Sequence, residues 1–211
     1  MNLWEFTIRG GYLMIPITIC GALTLAVIIE RLIALRKSEI DAEKFIGEIE
    51  QKLKKRKIRE AIELCESTPG PVARLVYKAL IKSDRPPEVI KENIQDEANQ
   101  IIPYLEKYLG VLATIATIAP LLGLLGTVTG LIKAFMVIEA KGGLVNPGDL
   151  ARGIWEALIT TVGGLVVSIP AYLGYNYLVS RVNSLINDME RAASRMMDIL
   201  TFLITEEEQI K

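Results

Sequence analysis

Three stretches without a charged residue, Gly10–Ile29, Tyr108–Ile132 and Ala157–Ser180, constrain this chain more than any other feature of its sequence. Each is at least 20 residues long, enough for a helix to cross about 30 Å of hydrocarbon. Lipid offers no partner for an open backbone, so a spanning segment must close its own hydrogen bonds as a helix. The expected fold is an all-α membrane protein with three transmembrane helices. Charged residues make up 23% of the 211, yet they are confined to the remaining sequence, so the chain is suited to two solvents. The first run lies where a signal peptide would. Its apolar core is longer than a typical signal core and no Ala-x-Ala site precedes ERLIALRKSE, so it reads as an uncleaved anchor.

Three spans place the two ends on opposite sides, and basic residues indicate which side is which. Arg9 alone precedes the first span, and Lys133, Lys141 and Arg152 flank the connection between the second and third. The region between spans one and two holds 16 basic residues, and the tail adds Arg181, Arg191, Arg195 and Lys211. The expected order is a periplasmic segment 1–9, transmembrane helix 10–30, cytoplasmic helical domain 31–107, transmembrane helix 108–138, periplasmic loop 139–152, transmembrane helix 153–180 and cytoplasmic helix 181–211.

Residues 31–107 are predicted to fold rather than to link. In IEQKLKKRKIREAIELCES, Ile49, Leu53, Ile58, Ile62 and Leu64 recur at helical spacing opposite a charged face. The KKRK cluster reads as a solvated face, with anionic lipid headgroups as a second reading. STPGP and RPPE divide the region into short helices. KENIQDEANQIIPYLEKYL has no stop before span two except Pro103, and Val182, Leu185, Met189, Ala192, Met196, Leu200 and Leu203 carry an apolar face beyond span three. Both spans are therefore expected to project into the cytoplasm as long helices that pack on each other or on neighbouring subunits.

Composition narrows the chemistry. With no histidine, proton chemistry must use carboxylates, tyrosines, water or another chain. Cys20 and Cys65 make neither a disulfide framework nor a metal site, and a net charge of −1 gives no nucleic-acid signal. There is no metal-ligand cluster, no nucleophile with a base and no phosphate-binding loop, so neither a cofactor nor an enzyme is expected.

The spans carry polar features that packing alone does not require. In APLLGLLGTVTGLIKAF, Gly123, Gly126 and Gly130 line one helix face and admit a close neighbour. Thr127 borders that strip. It also fits an ordinary threonine bonded to its own backbone one turn back. Pro120 removes one helical donor and leaves a carbonyl facing inward. In GIWEALITTVGGLVVSIPAYLGYNYL, Glu156 stands at the outer end of the apolar run, followed by Thr160, Thr161, Gly163, Gly164, Ser168 and Pro170. Thr161, Ser168 and Tyr172 share a face, and such a stripe should meet protein or water. Glu156 reads either as an interfacial carboxylate or as part of an ion path.

These two stretches resemble the paired signature of the MotA/TolQ/ExbB proton-channel family, most closely its ExbB and TolQ branches. Span order and the large segment between spans one and two agree. The MotA branch fits less well, having four spans and generally no threonine where Thr127 stands. Thr129 occupies a position where many relatives carry an aromatic residue. The resemblance implies that Thr127 and Thr161 are the pore-lining threonines and Glu156 the third-span glutamate; Thr160 and Ser168 are further candidates for the same path from their place in the third span. It also implies a pentamer in the bacterial inner membrane around two copies of a single-span ExbD/TolR-like partner, whose aspartate takes up and releases protons. An ExbB-like complex would drive a TonB-like protein and outer-membrane transport; a TolQ-like one would act with a TolA-like protein in envelope constriction.

The residues agree with that chemistry. A proton path needs a carboxylate that is neutralised in transit, flanked by groups that donate and accept hydrogen bonds. No acidic residue lies well inside any span, so the carrier would come from another chain, seated against small-residue faces. A membrane scaffold whose glycines only pack helices is the alternative of a different class.

Overall fold

The computed structural model describes residues 10–142 and 147–210, with side chains omitted at 149, 150 and 203–210. The expectations for residues 1–9, Arg9, residues 143–146, the side chain of Leu203 and Lys211 lie outside the described residues. Seven α-helices and no strand occur among the described residues: α1 (Met14–Ser38), α2 (Ala42–Lys54), α3 (Ile58–Ser67), α4 (Pro71–Ile81), α5 (Pro87–Leu105), α6 (Leu109–Ala140) and α7 (Pro147–Ile210). The protein is an all-α membrane protein: three helical stretches, within α1, α6 and α7, are long and apolar enough to cross a membrane.

Helix boundaries follow local chemistry. Asp41 caps α2 by accepting from the Lys44 amide at 3.0 Å, the usual role of a short acidic side chain before a first turn. Pro71 and Pro87 open α4 and α5, where a missing N–H costs nothing. Gly70 precedes α4 at φ 112°, and a Cβ there would lie 2.6 Å from the Ser38 carbonyl, so glycine is required twice over.

The chain forms two compact units. One comprises the chain to Glu30 together with Tyr108–Leu178. In it α6 runs antiparallel to α7, Gly130, Gly123 and Ala119 of α6 facing Ala157, Thr161 and Gly164 of α7 in turn. α1 runs parallel to α7: a Cβ at Gly163 would touch Met14, at Gly21 Val167 and at Gly174 Ile28. Met14, Ile17 and Ile159 form one core cluster, and Ile115, Ala119 and Ala171 another. The outer faces remain apolar, with Leu124 58%, Phe135 65%, Val166 64% and Leu173 64% exposed. Such a surface suits lipid or another helix rather than water.

The second unit comprises Arg31–Lys107 with the chain from Val179 onward. Here α2, α3, α4 and α5 pack consecutively. Val182, Leu185, Met189, Ala192, Met196 and Leu200 of α7 are buried, and Arg181 and Arg195 of the same helix bind Glu39 and Glu50. Burial pushes the Cys65 thiol up to about 12, helped by the charge on Glu66. Glu97 is 3% exposed between Arg74 and Lys78, at 2.7 and 3.5 Å. Its Oε1 is out of line for a hydrogen bond with Arg74, so that contact is electrostatic.

Two expectations are corrected. The segment ahead of span two does not join it as one long helix: α5 ends at Leu105 and α6 starts at Leu109, with Tyr108 left-handed at φ 66°. Pro103 is not the stop, for it sits within the last turn of α5. Buried Arg31 donates to the Tyr104 carbonyl at 3.0 Å and stacks over the Tyr104 ring. A continued helix would have given that carbonyl to the Tyr108 N–H. The second correction concerns IEQKLKKRKIREAIELCES, which breaks at Lys55–Lys57 with Arg56 at φ 58°. The break resets the helical phase, so α3 buries Ala61 and Cys65 while Ile58 is 46% exposed.

Candidate functional site

The polar residues of the spans gather along the α6–α7 contact. Gly126 leaves a notch that Thr160 fills, and a Cβ at Gly126 would collide with the Thr160 hydroxyl. A Cβ at Gly123 would stand 3.0 Å from the Thr160 carbonyl, one at Gly130 2.9 Å from Ala157 Cβ, and one at Gly164 2.5 Å from the Ala119 carbonyl. The two backbones approach so closely because neither helix has bulk on the shared face. Gly163 faces the other way, onto Met14 of α1.

This proximity lets a hydroxyl of one helix reach a carbonyl of the other. Thr161 Oγ1 donates to the Gly123 carbonyl at 3.1 Å. In an α-helix the same carbonyl accepts from the N–H four residues on, that of Thr127. The two threonines are therefore joined through one carbonyl. Thr127 Oγ1 itself donates to the Leu124 carbonyl at 2.6 Å. With both hydroxyl hydrogens given to backbone, the two oxygens keep lone pairs that can accept a hydrogen bond. Both residues are half-buried, beside the exposed Leu124, Val128 and Leu131.

The other candidates lie elsewhere. Thr160, 1% exposed, bonds back to the Ala157 and Glu156 carbonyls and sits inside the helix contact. Ser168 is buried and donates to the Leu165 carbonyl at 3.3 Å. Tyr172, predicted on the same face, is exposed. Pro120 and Pro170 lie inside α6 and α7 and deprive the Ala116 and Val166 carbonyls of their helical donors.

Glu156 is paired. Its Oε1 accepts from Lys133 Nζ at 2.6 Å, and Lys133 Nζ also stands 5.4 Å from the centre of the Tyr12 ring. Gly11, at φ 71°, passes so close to the Glu156 carboxylate that a Cβ would overlap it. Sequence reasoning treated Lys133 only as a flanking charge and missed this pair. A usable signal existed: an antiparallel hairpin brings together residues at similar distances from its connection, and Lys133 and Glu156, about two turns from the ends of α6 and α7, are within reach of each other for a long lysine side chain.

Residues 67–191 match the model of the MotA/TolQ/ExbB proton channel family. Among curated proteins, the chain is 31% identical over 180 residues to a putative biopolymer transport protein ExbB homolog of Methanothermobacter thermautotrophicus, covering 85% of this chain and 62% of the relative. It is 41% identical over 99 residues to the biopolymer transport protein ExbB of Aquifex aeolicus, covering 47% of this chain and 66% of that protein. It is 39% identical over 112 residues to the Tol-Pal system protein TolQ of Haemophilus influenzae, covering 51% of this chain and 48% of that one. The chain thus spans between about half and two thirds of the length of these relatives. The match covers the α6–α7 hairpin with its threonines and the helices between α3 and α6, and on it the chain belongs to the MotA/TolQ/ExbB proton channel family, close to its ExbB and TolQ members.

Proposed function

We propose that the chain is the proton-conducting subunit of an inner-membrane complex that converts proton motive force into mechanical work, an ExbB-like part acting with an ExbD-like partner. The observation that carries this is the Thr161–Gly123–Thr127 junction: two hydroxyls, donating to the adjacent Gly123 and Leu124 carbonyls, retain acceptor capacity within otherwise apolar spans. Hydroxyls relay a proton without trapping charge, but they cannot carry it. No Asp or Glu lies between Tyr108 and Ile138 or between Ala157 and Asn187. The carrier in this scheme is an aspartate on a single-span partner enclosed by a ring of five copies. Thr127 and Thr161 line the path, Glu156 stands at its outer end, and Thr160 and Ser168 support the wall from within the helix contacts. The N-terminus is periplasmic, and the unit containing α2–α5 is cytoplasmic.

In mechanism, the aspartate is neutral against the apolar wall and ionised beside the threonine oxygens, so successive protonations bias its motion within the ring. One proton crossing 100 mV releases about 2.3 kcal/mol. The complex is not an enzyme; its work passes to a TonB-like protein serving outer-membrane transport. The likeness to TolQ supports a second reading, in which the same motor acts with a TolA-like protein in envelope constriction. Proton uptake into liposomes holding the chain and its single-span partner, driven by a potassium diffusion potential, tests the proposal. Flux that requires both chains supports it. Absence of flux from a correctly assembled complex leaves a non-conducting scaffold instead.

A further inference from the structure

The faces that join α6 to α7 are smooth. Gly123, Gly126 and Gly130 on one side and Gly153, Ala157 and Gly164 on the other offer close approach with few knobs, and smooth faces slide more readily than interdigitated ones. A displacement of one residue turns a helix by about 100° and would carry Thr161 away from the Gly123 carbonyl. Something besides the glycines must hold the register. Thr160 in the Gly126 notch is one stop. The other lies two turns toward the connection, where three elements meet at one cation.

We infer that Lys133 is the register pin of the α6–α7 hairpin, a positioning residue that acts through Glu156. Its ammonium donates to Glu156 Oε1 at 2.6 Å, fixing α6 to α7 along the helix axis. The same nitrogen lies 5.4 Å from the Tyr12 ring centre, within cation–π range. The turn before α1 is thereby included. Gly11 lies against the carboxylate from that turn, in a left-handed conformation and a space where only glycine fits. Lys133 reaches from α6 to two other elements, Glu156 on α7 and Tyr12 on the turn. Its charge is thus placed to select one register out of several that the glycines allow. With Lys133 48% and Glu156 26% exposed, the pair adds little net stability, so its role here is to mark a register rather than to supply energy. The consequence for the site is that Thr161 meets Gly123 because Lys133 meets Glu156. The bearing of that contact on proton flux rests on the proton-path reading, whereas the pin itself does not.

The test is a pair of double-mutant cycles on the full chain in detergent, read by the thermal unfolding midpoint, with proton flux of the assembled complex measured separately. Lys133→Met is expected to lower the midpoint by about 2–4 °C, Lys133→Arg to restore it, and the swap of Lys133→Glu with Glu156→Lys to recover most of the loss of either single change. Lys133→Met and Thr161→Val share no partner and would add if independent. The pin predicts that the loss caused by Thr161→Val shrinks at least twofold once Lys133 is Met, because the hydroxyl has already left its carbonyl. Additive midpoints in that cycle, or a swap variant no better than its worse parent, would overturn the inference. Coupled midpoints together with an unmodified complex that passes no protons would uphold the pin and reject the proton-path reading.

Discussion

At the scale of single residues, function depends on atoms that are absent. Gly126 and Gly164 are both places where a Cβ does not fit, but the obstruction differs. At Gly126 it is the Thr160 side chain; at Gly164 it is the Ala119 backbone carbonyl. Overpacking of this kind costs about 1–3 kcal/mol. Gly126→Ala should therefore destabilise the hairpin, and adding Thr160→Ala should recover a substantial part, since the side chain that collides has been shortened. Gly164→Ala should be as harmful, with no compensating side-chain change available. Thermal unfolding in detergent of Gly126→Ala and Gly164→Ala, each alone and with Thr160→Ala, checks this, and equal recovery of both glycine sites would contradict it. The glycine strip of α6 was legible from its three- and four-residue spacing. That Thr160 would fill one notch, away from Thr127 and Thr161, was not, because helical spacing gives the face of a residue but not the depth of the neighbour.

At the scale of elements, what the sequence left hidden is where helices stop. The apolar faces of α1, α6 and α7 were readable because a membrane span needs a long uninterrupted run. The break between α5 and α6 was not, since the carbonyl at its edge, that of Tyr104, is capped from 73 residues away by Arg31. Long-range capping leaves no local mark. Arg31→Met should remove a charge-assisted hydrogen bond of about 1.5–3 kcal/mol and raise hydrogen exchange at residues 104–108, with little change in α3. The break at Lys55–Lys57 falls within a run of four cations whose ends are drawn to different helices, Lys54 to Glu50 of α2 and Lys57 to Glu60 of α3, yet periodicity alone passed through it. Its result is that Cys65 faces the core. With its thiol held near 12 by burial, and thiolate being the reactive form, Cys65 should resist maleimide at neutral pH until the domain unfolds. Rapid labelling of the native chain at this position would contradict the packing of α3. Glu50 joins α2 to α7: its carboxyl is held below the usual range by Lys54 first and then by Arg195. A lowered folded-state value means that the unfolded chain binds the proton more tightly, so this stabilisation is present above about 4.5 and is lost as pH falls below it. Glu50→Gln should flatten the acid side of the stability profile and leave the neutral region nearly level.

At the scale of the whole molecule, the proposed function gives the chain the wall of a path and leaves the carrier to another polypeptide. Its spans contain hydroxyls, glycines and carbonyls freed by proline, but no internal carboxylate. The apolar faces around Leu124, Phe135 and Val166 are exposed and suit lipid or another helix. The most direct test of the central claim compares Thr161→Ser with Thr161→Val in the reconstituted complex, with assembly verified by the mass of the detergent-solubilised particle. Serine keeps the hydroxyl and should keep proton flux within about threefold of the unmodified complex. Valine keeps the shape but loses the oxygen, and should reduce flux about tenfold or more, as expected for a barrier raised by about 1.4 kcal/mol. Equal flux through both assembled complexes would contradict the account.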